Sequence, residues 1–319
     1  MKPPTLRRPP DHSPAVSRSM SEETLVEKLG RFMPENGIRT TEIPFVTLVR
    51  CDAATPMLHG VLRPSICLVI QGAKRRLIGK EFVRYGENHY VVASIDMPSS
   101  CQVFEASSES PYLGLAIDLD PEEIAMLAVQ TGRTVGPREK TLPGVHVGET
   151  NAELNDALAR LLRLLDHPHE IPFLAASIRH EFLYRLLASP SGPMIYRNLM
   201  PDRHGPGISK AVHWLKAHFA EPMVIEDLAR EAGMSTTTLH RKFKAITTLS
   251  PLQYQKRLRL VEARRLLITT GSDAATAGFE VGYESPSQFS REYRRLFGAP
   301  PLQDAADASS PAMAPFWQD

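Results

Sequence analysis

The chain repeats itself near its C-terminus. A shift of fifty residues lays Ser235 on Ser285, Arg241 on Arg291, and Pro251-Leu252-Gln253 on Pro301-Leu302-Gln303. Apolar positions keep their character, with Leu239 meeting Phe289 and Phe243 meeting Tyr293. Self-similarity at one fixed offset marks a supersecondary unit present twice. Whatever else the chain folds into, its C-terminal part must accommodate two related units.

Each unit reads as helix-turn-helix. Ile225-Ala232 is a short helix behind Pro222; Gly233 permits a tight bend, and Ser235 caps the helix that follows by accepting from an orphan N–H. In the second unit Gly282 makes the bend, Ser285 caps, and Pro286 takes the first helical position, where its missing N–H costs nothing. The second helix of each unit has two faces. In Ser235-Ile246 the inner stripe is Leu239, Phe243 and Ile246, and the outer one Thr237, His240, Arg241 and Lys244. In Ser285-Phe297 the inner stripe is Phe289, Tyr293, Leu296 and Phe297, and the outer one Ser287, Gln288, Arg291 and Arg294. Guanidinium groups fork onto guanine, amides onto adenine, and hydroxyls reach bases or phosphates. A single such helix would read as an ordinary solvated face; two in one register favour DNA contact.

Between the units a helix is predicted from Pro251 to Ile268. Eighteen residues rise roughly 27 Å, close to the about 34 Å between successive major grooves on one side of B-DNA. Its basic residues, Lys256, Arg257, Arg259, Arg264 and Arg265, include several expected to meet phosphates, although Arg stems also cover apolar surface. Charge supports this division of labour. Residues Gly207 to Pro300 hold 14 Lys/Arg against 9 Asp/Glu, while the remainder holds 23 against 27, so a net charge of +1 conceals a basic C-terminal part.

At this point the sequence resembles the AraC/XylS family of bacterial transcription regulators. GFEVGYESPSQFSREYRRLFGAPP, from Gly278 to Pro301, matches the family signature, and AREAGMSTTTLHRKFKAITTLSPLQYQKRLRLVEARRLL, from Ala229, matches its first unit and linking helix. Carried over by position, the family's base-facing residues fall on Thr237, His240 and Arg241, and on Ser287, Gln288 and Arg291. Ala274-Ala275-Thr276-Ala277 departs from the pattern, since larger apolar residues are common there. The stretches PSICLVIQGAKRRLIG, HYVVASIDMPSS and SPYLGLAIDLDP resemble the branch with a cupin-like sensor domain of the AraC N-terminal type.

The residues upstream support a sensor domain in their own right. Short β-rich segments recur at Phe45-Val49, Ser65-Gln71, Arg75-Ile78, Glu81-Tyr85, His89-Ser94, Cys101-Ala106 and Tyr112-Asp118, with Gly and Pro between them. That spacing predicts an antiparallel barrel or double-sheet sandwich. A short amphipathic helix carrying Leu25, Leu29 and Phe32 precedes it. Helices are predicted at Pro121-Thr131, Asn151-Leu165 and Phe173-Leu187, and the leucine stripe Leu154, Leu158, Leu161, Leu162, Leu165 suits either plain core or a homodimer seam. The expected fold is therefore multidomain α+β. A disordered N-terminus (1–20) leads into a cupin-like β-barrel with flanking helices (21–188). A linker (189–206), an all-α domain of two helix-turn-helix units joined by a linker helix (207–303), and a flexible tail (304–319) complete it.

A ligand-sensing barrel is expected to bind a small molecule at its mouth, with Arg63, Lys74, His89, Tyr90, Cys101 and Glu105 as candidate lining residues. Catalysis is not expected. His59 and His89 stand alone rather than in the H-x-H of metal cupins, His167-Pro168-His169 lies in a helical region, and no nucleophile elbow, phosphate loop or dinucleotide fingerprint occurs. No metal or cofactor is expected. Cys51, Cys67 and Cys101 form no C-x-x-C pair, which favours a reducing compartment, and Cys101, read as a loop or strand start, is the better candidate for thiol reactivity. The first twenty residues lack a signal peptide's apolar core, and no run is long enough for a membrane helix. The expectation is a cytoplasmic regulator, more often an activator in the resembled family, with promoter duplex, RNA polymerase and a small-molecule effector as partners.

Overall fold

A computed structural model describes residues 23–78, 81–131, 143–199 and 207–309. The expected disordered N-terminus, the end of the expected linker and the tail beyond 309 lie outside the described residues. The chain opens with α1 (Leu25–Phe32), whose start is fixed by a Thr24–Glu27 capping box. Among the described residues ten strands follow: β1 (Gly37–Thr40), β2 (Val46–Cys51), β3 (Leu58–Leu62), β4 (Ser65–Gln71), β5 (Ala73–Ile78), β6 (Glu81–Gly86), β7 (His89–Ala93), β8 (Met97–Glu105), β9 (Tyr112–Asp118) and, after helix α2 (Pro121–Gln130), β10 (Val145–Glu149). They form a six-stranded sheet ordered β1-β2-β9-β4-β7-β10 and a four-stranded sheet ordered β3-β8-β5-β6. Every pairing is antiparallel.

The large sheet is buried on one face under helices. Val46, Leu48, Ile66, Leu68, Tyr90, Val92, Leu113, Leu115 and Ile117 share one core with α1, α2, α3 (Ala152–Arg163), α4 (Ile171–Ala188) and α5 (Gly192–Leu199). The residues between them along each strand, such as Thr47, Val49, Cys67 and Ala116, turn the other way, toward the small sheet. Leu154, Leu158, Leu161, Leu162 and Leu165 all lie inside this helix-covered core, so the leucine stripe is filled by the chain itself.

The C-terminal part is helical: α6 (Gly207–Ala217), α7 (Ile225–Glu231), α8 (Thr236–Thr247), α9 (Pro251–Thr270), α10 (Ala274–Glu280), α11 (Pro286–Phe297) and α12 (Pro301–Ala308). The expected bends are present, with φ +66 at Gly233 and +88 at Gly282. At Gly282 a Cβ would also fall 2.0 Å from the Ala220 carbonyl oxygen, so glycine is required there twice over.

Several boundaries differ from the sequence reading. Part of the expected linker is helix α5, because Met194, Ile195 and Tyr196 bury against α2 and α4. The expected tail begins as α12: Asp304 accepts from Arg264 and Tyr293, and Ala305 and Ala308 are buried. Cys101 lies inside β8 rather than at its start, since the strand begins at Met97.

Candidate nucleic-acid interface and sensor lumen

The two second helices are built alike. Ser235 accepts from Thr238 N to cap α8, and Ser285 accepts from Gln288 N to cap α11. Leu239 and Phe243 of α8 and Phe289 and Tyr293 of α11 are fully buried, which turns the opposite face of each helix to solvent. Thr237, His240, Arg241 and Lys244 are all exposed, as are Ser287, Gln288, Arg291 and Arg294. Arg241, Lys244 and Arg294 hold no internal partner among the described residues. Arg291 only leans on the Ser287 carbonyl at 3.3 Å, and Gln288 donates to Glu292 at 3.2 Å. These donors therefore meet a new partner with few internal bonds to break.

The connecting helix corrects a second expectation. Its basic residues are mostly committed within the chain. Arg259 donates to the carbonyls of Phe219 (2.6 Å), Gly282 (2.7 Å), Glu221 (2.8 Å) and Ala220 (3.1 Å). Arg264 is 6% exposed and grips Asp304 at 2.6 Å, Lys256 pairs with Glu292 at 2.7 Å, and Arg265 pairs with Glu262 at 2.7 Å. Arg257 is partly buried, and burial lowers its pKa. Guanidinium groups on a buried helix must satisfy their donors inside the fold, so α9 ties the two units together rather than offering a phosphate track. Asp273 caps α10, and the Phe289 ring lies against Gly278, where a Cβ would fall 3.1 Å from it.

In the N-terminal domain the six candidate lining residues separate. Arg63 and Glu105 are exposed. His89 bonds the neighbouring Glu87 carbonyl. Tyr90 faces the helix-covered core and meets Ser191 at 2.8 Å, which removes it from the space between the sheets. Lys74 and Cys101 do lie between the sheets, in company with residues that sequence reasoning missed. Lys74 stands opposite Tyr85 and Val103, and Arg76 opposite Val83 and Cys101. Tyr112, from the facing sheet, puts its ring 5.0 Å from the Lys74 ammonium. Period-two spacing was the available signal: Lys74 and Arg76 are two apart on one strand and share a face.

Both parts have counterparts among known proteins. Residues 42–194 match the AraC-type transcriptional regulator N-terminus, and residues 228–306 match a helix-turn-helix domain. The chain belongs to the AraC family of transcriptional regulators. It is 28% identical over 165 residues to the HTH-type transcriptional regulator ExsA of Pseudomonas aeruginosa, covering 51% of this chain and 58% of ExsA. It is 38% identical over 104 residues to the HTH-type transcriptional activator RhaS of Escherichia fergusonii, covering 32% of this chain and 37% of RhaS. The chain thus spans less than two-thirds of either relative. A solved structure of apo ToxT from Vibrio cholerae superposes with a TM-score of 0.53 at 10% identity, covering 85% of this chain and 99% of ToxT, and so shares the two-domain AraC-type fold. Among the described residues no helix is long and apolar enough to cross a membrane, and no group of three or more His, Cys, Asp or Glu is placed to hold a metal.

Proposed function

We propose that this AraC-family chain is a sequence-specific, cytoplasmic transcription regulator whose helices α8 and α11 enter adjacent major grooves on one side of promoter DNA. Base-edge contacts come from Thr237, His240 and Arg241 and from Ser287, Gln288 and Arg291; Lys244 and Arg294 flank them toward phosphate. The observation that carries this reading is the pairing of two exposed polar faces with few internal hydrogen bonds, on helices whose opposite faces carry the fully buried Leu239, Phe243, Phe289 and Tyr293. The twenty-residue spacer α9 rises roughly 30 Å, near the groove repeat. We read the space between the sheets as the seat of a small-molecule effector and the domain as non-catalytic. Activation through contact with RNA polymerase is the direction of regulation we favour, since RhaS is an activator.

A duplex selected by the full chain from random-sequence DNA provides the test. Arg291→Ala should relax preference at one base position and cost about 1–3 kcal/mol of binding free energy. Arg241→Ala should do the same at a different position about one helical turn away. Equal weakening on every sequence would replace this reading by an architectural, weakly specific binder.

A further inference from the structure

Two cationic side chains stand between the two sheets. Lys74 and Arg76 point inward from β5, and neither forms an ion pair with a described acidic side chain. Arg76 is 5% exposed; its Nη1 donates to Ser99 Oγ, but its Nε has no partner. The buried Tyr85 hydroxyl lies beside that guanidinium without closing a hydrogen bond of ordinary geometry, and it too has no partner. The other groups beside Lys74 and Arg76 are phenols and thiols. Burial pushes the Cys51 thiol up to about 11 and raises Tyr112 as well, so neither supplies a negative charge at neutral pH.

Two cations placed inside a fold without a counter-charge are costly, and natural interiors pair them. Lys74 and Cys101 are only partly buried, as are the small residues Thr47, Cys67 and Ala116 of the facing sheet, so side chains do not seal this space completely. A neutral guest would leave both charges uncompensated. The remaining walls, including Val69, Val91 and Val103, are apolar and suit an organic body.

We propose that the lumen binds a small organic carboxylate, its anionic end held by the Lys74 ammonium and the free Nε edge of Arg76, with the Tyr85 hydroxyl donating beside them. This rests on the reading of the barrel as the sensor domain and gives its effector a chemical class. The anion supplies the missing counter-charge, and charge-assisted bonds from Lys and Arg are the strong ones in a dry site.

The test uses the full chain and matched probes: acetate, hexanoate and phenylacetate, their neutral amides, and inorganic phosphate, each followed by thermal unfolding and calorimetric titration. At least one carboxylate should raise the unfolding midpoint while its amide does not. Lys74→Met should weaken that carboxylate roughly tenfold or more, and should itself raise the midpoint of the ligand-free protein by removing an uncompensated cation. Arg76→Met should weaken the same carboxylate, and Lys74→Arg should restore part of the affinity. The proposal is overturned if no carboxylate binds, if amide and carboxylate bind alike, if phosphate alone binds, or if Lys74→Met leaves the affinity unchanged. Retention of the selected DNA duplex is measured on the same preparations. Loss of DNA binding with carboxylate binding intact counts against the DNA reading alone; the converse counts against the carboxylate alone.

Discussion

His59 stands where the barrel meets the second helix-turn-helix unit. Its Nδ1 lies 2.8 Å from Ser100 Oγ, and its ring meets Phe297 of α11 edge-on at 4.9 Å. Burial, reinforced by the nearby Arg264 and Arg257 guanidinium groups against Asp304, holds its pKa down at about 4 from an ordinary 6.5. The unfolded chain therefore takes up a proton between pH 6.5 and 4 that the folded chain refuses. Stability from this site is complete above about pH 6.5 and declines as pH falls toward 4, by at most about 1.4 kcal/mol per unit. His59→Leu should flatten the loss of thermal stability between pH 7 and pH 5; an unchanged profile would place the sensitivity elsewhere. The outward residues of α8 and α11 were legible in the sequence because helical periodicity assigns faces without knowledge of partners. Arg76, Tyr85 and Tyr112 were not, because which face of a strand looks inward depends on which strands it pairs with.

At the scale of elements, α9 does two jobs. Its start is set by a Ser250–Gln253 capping box with Pro251 at the first position, and Gly271 in the left-handed region ends it. Between those ends Arg259 donates to four carbonyls in the loops of both units, adding to the Lys256–Glu292 and Arg264–Asp304 pairs and the apolar core that seat the second unit on α9. Arg259→Met removes four hydrogen bonds to part-exposed loop carbonyls, two of which still accept from Gln255, and should cost about 1–2 kcal/mol of stability. Binding to a duplex carrying both half-sites should fall by more than binding to a single half-site. Equal losses would mean that Arg259 only stabilises. The sequence showed this helix but not the fate of its cations, because charge alone does not say whether phosphate or a carbonyl will receive it. Strands β1, β3 and β10 escaped notice for a related reason. They are short, and β1 and β10 lie at sheet edges, where burial imposes weak patterning.

At the scale of the whole molecule, the helix-turn-helix part is packed against the barrel rather than merely tethered to it. Buried residues of α6, α7, α8 and α9 join Val91, Val103 and Tyr112 of the barrel in one core. Polar contacts fix the seam: Tyr254 donates to the Asp96 carbonyl at 2.6 Å, Lys216 pairs with the Asp96 carboxylate at 2.8 Å, and Gly144 N donates to the Ile246 carbonyl at 2.8 Å. A shared core predicts one cooperative unfolding transition for the full chain. Tyr254→Phe should lower stability by about 1 kcal/mol without splitting that transition; two resolved calorimetric transitions would show the parts to be independent. The two-domain plan was legible from the C-terminal repeat, which stands apart from the β-rich segments upstream. The seam was not, since Asp96, Lys216 and Tyr254 are far apart in sequence and nothing in the stretches that hold them says that they meet.

Two recognition helices fixed on one spacer bind best when their half-sites share a face of the duplex. Inserting about five base pairs, half a helical turn, between the half-sites turns one of them to the far side. Affinity of the full chain for that duplex should fall to the level of a duplex with one half-site, and inserting a full turn of about ten should not restore it, because α9 cannot lengthen. Undiminished binding to the half-turn insertion would contradict the two-groove account.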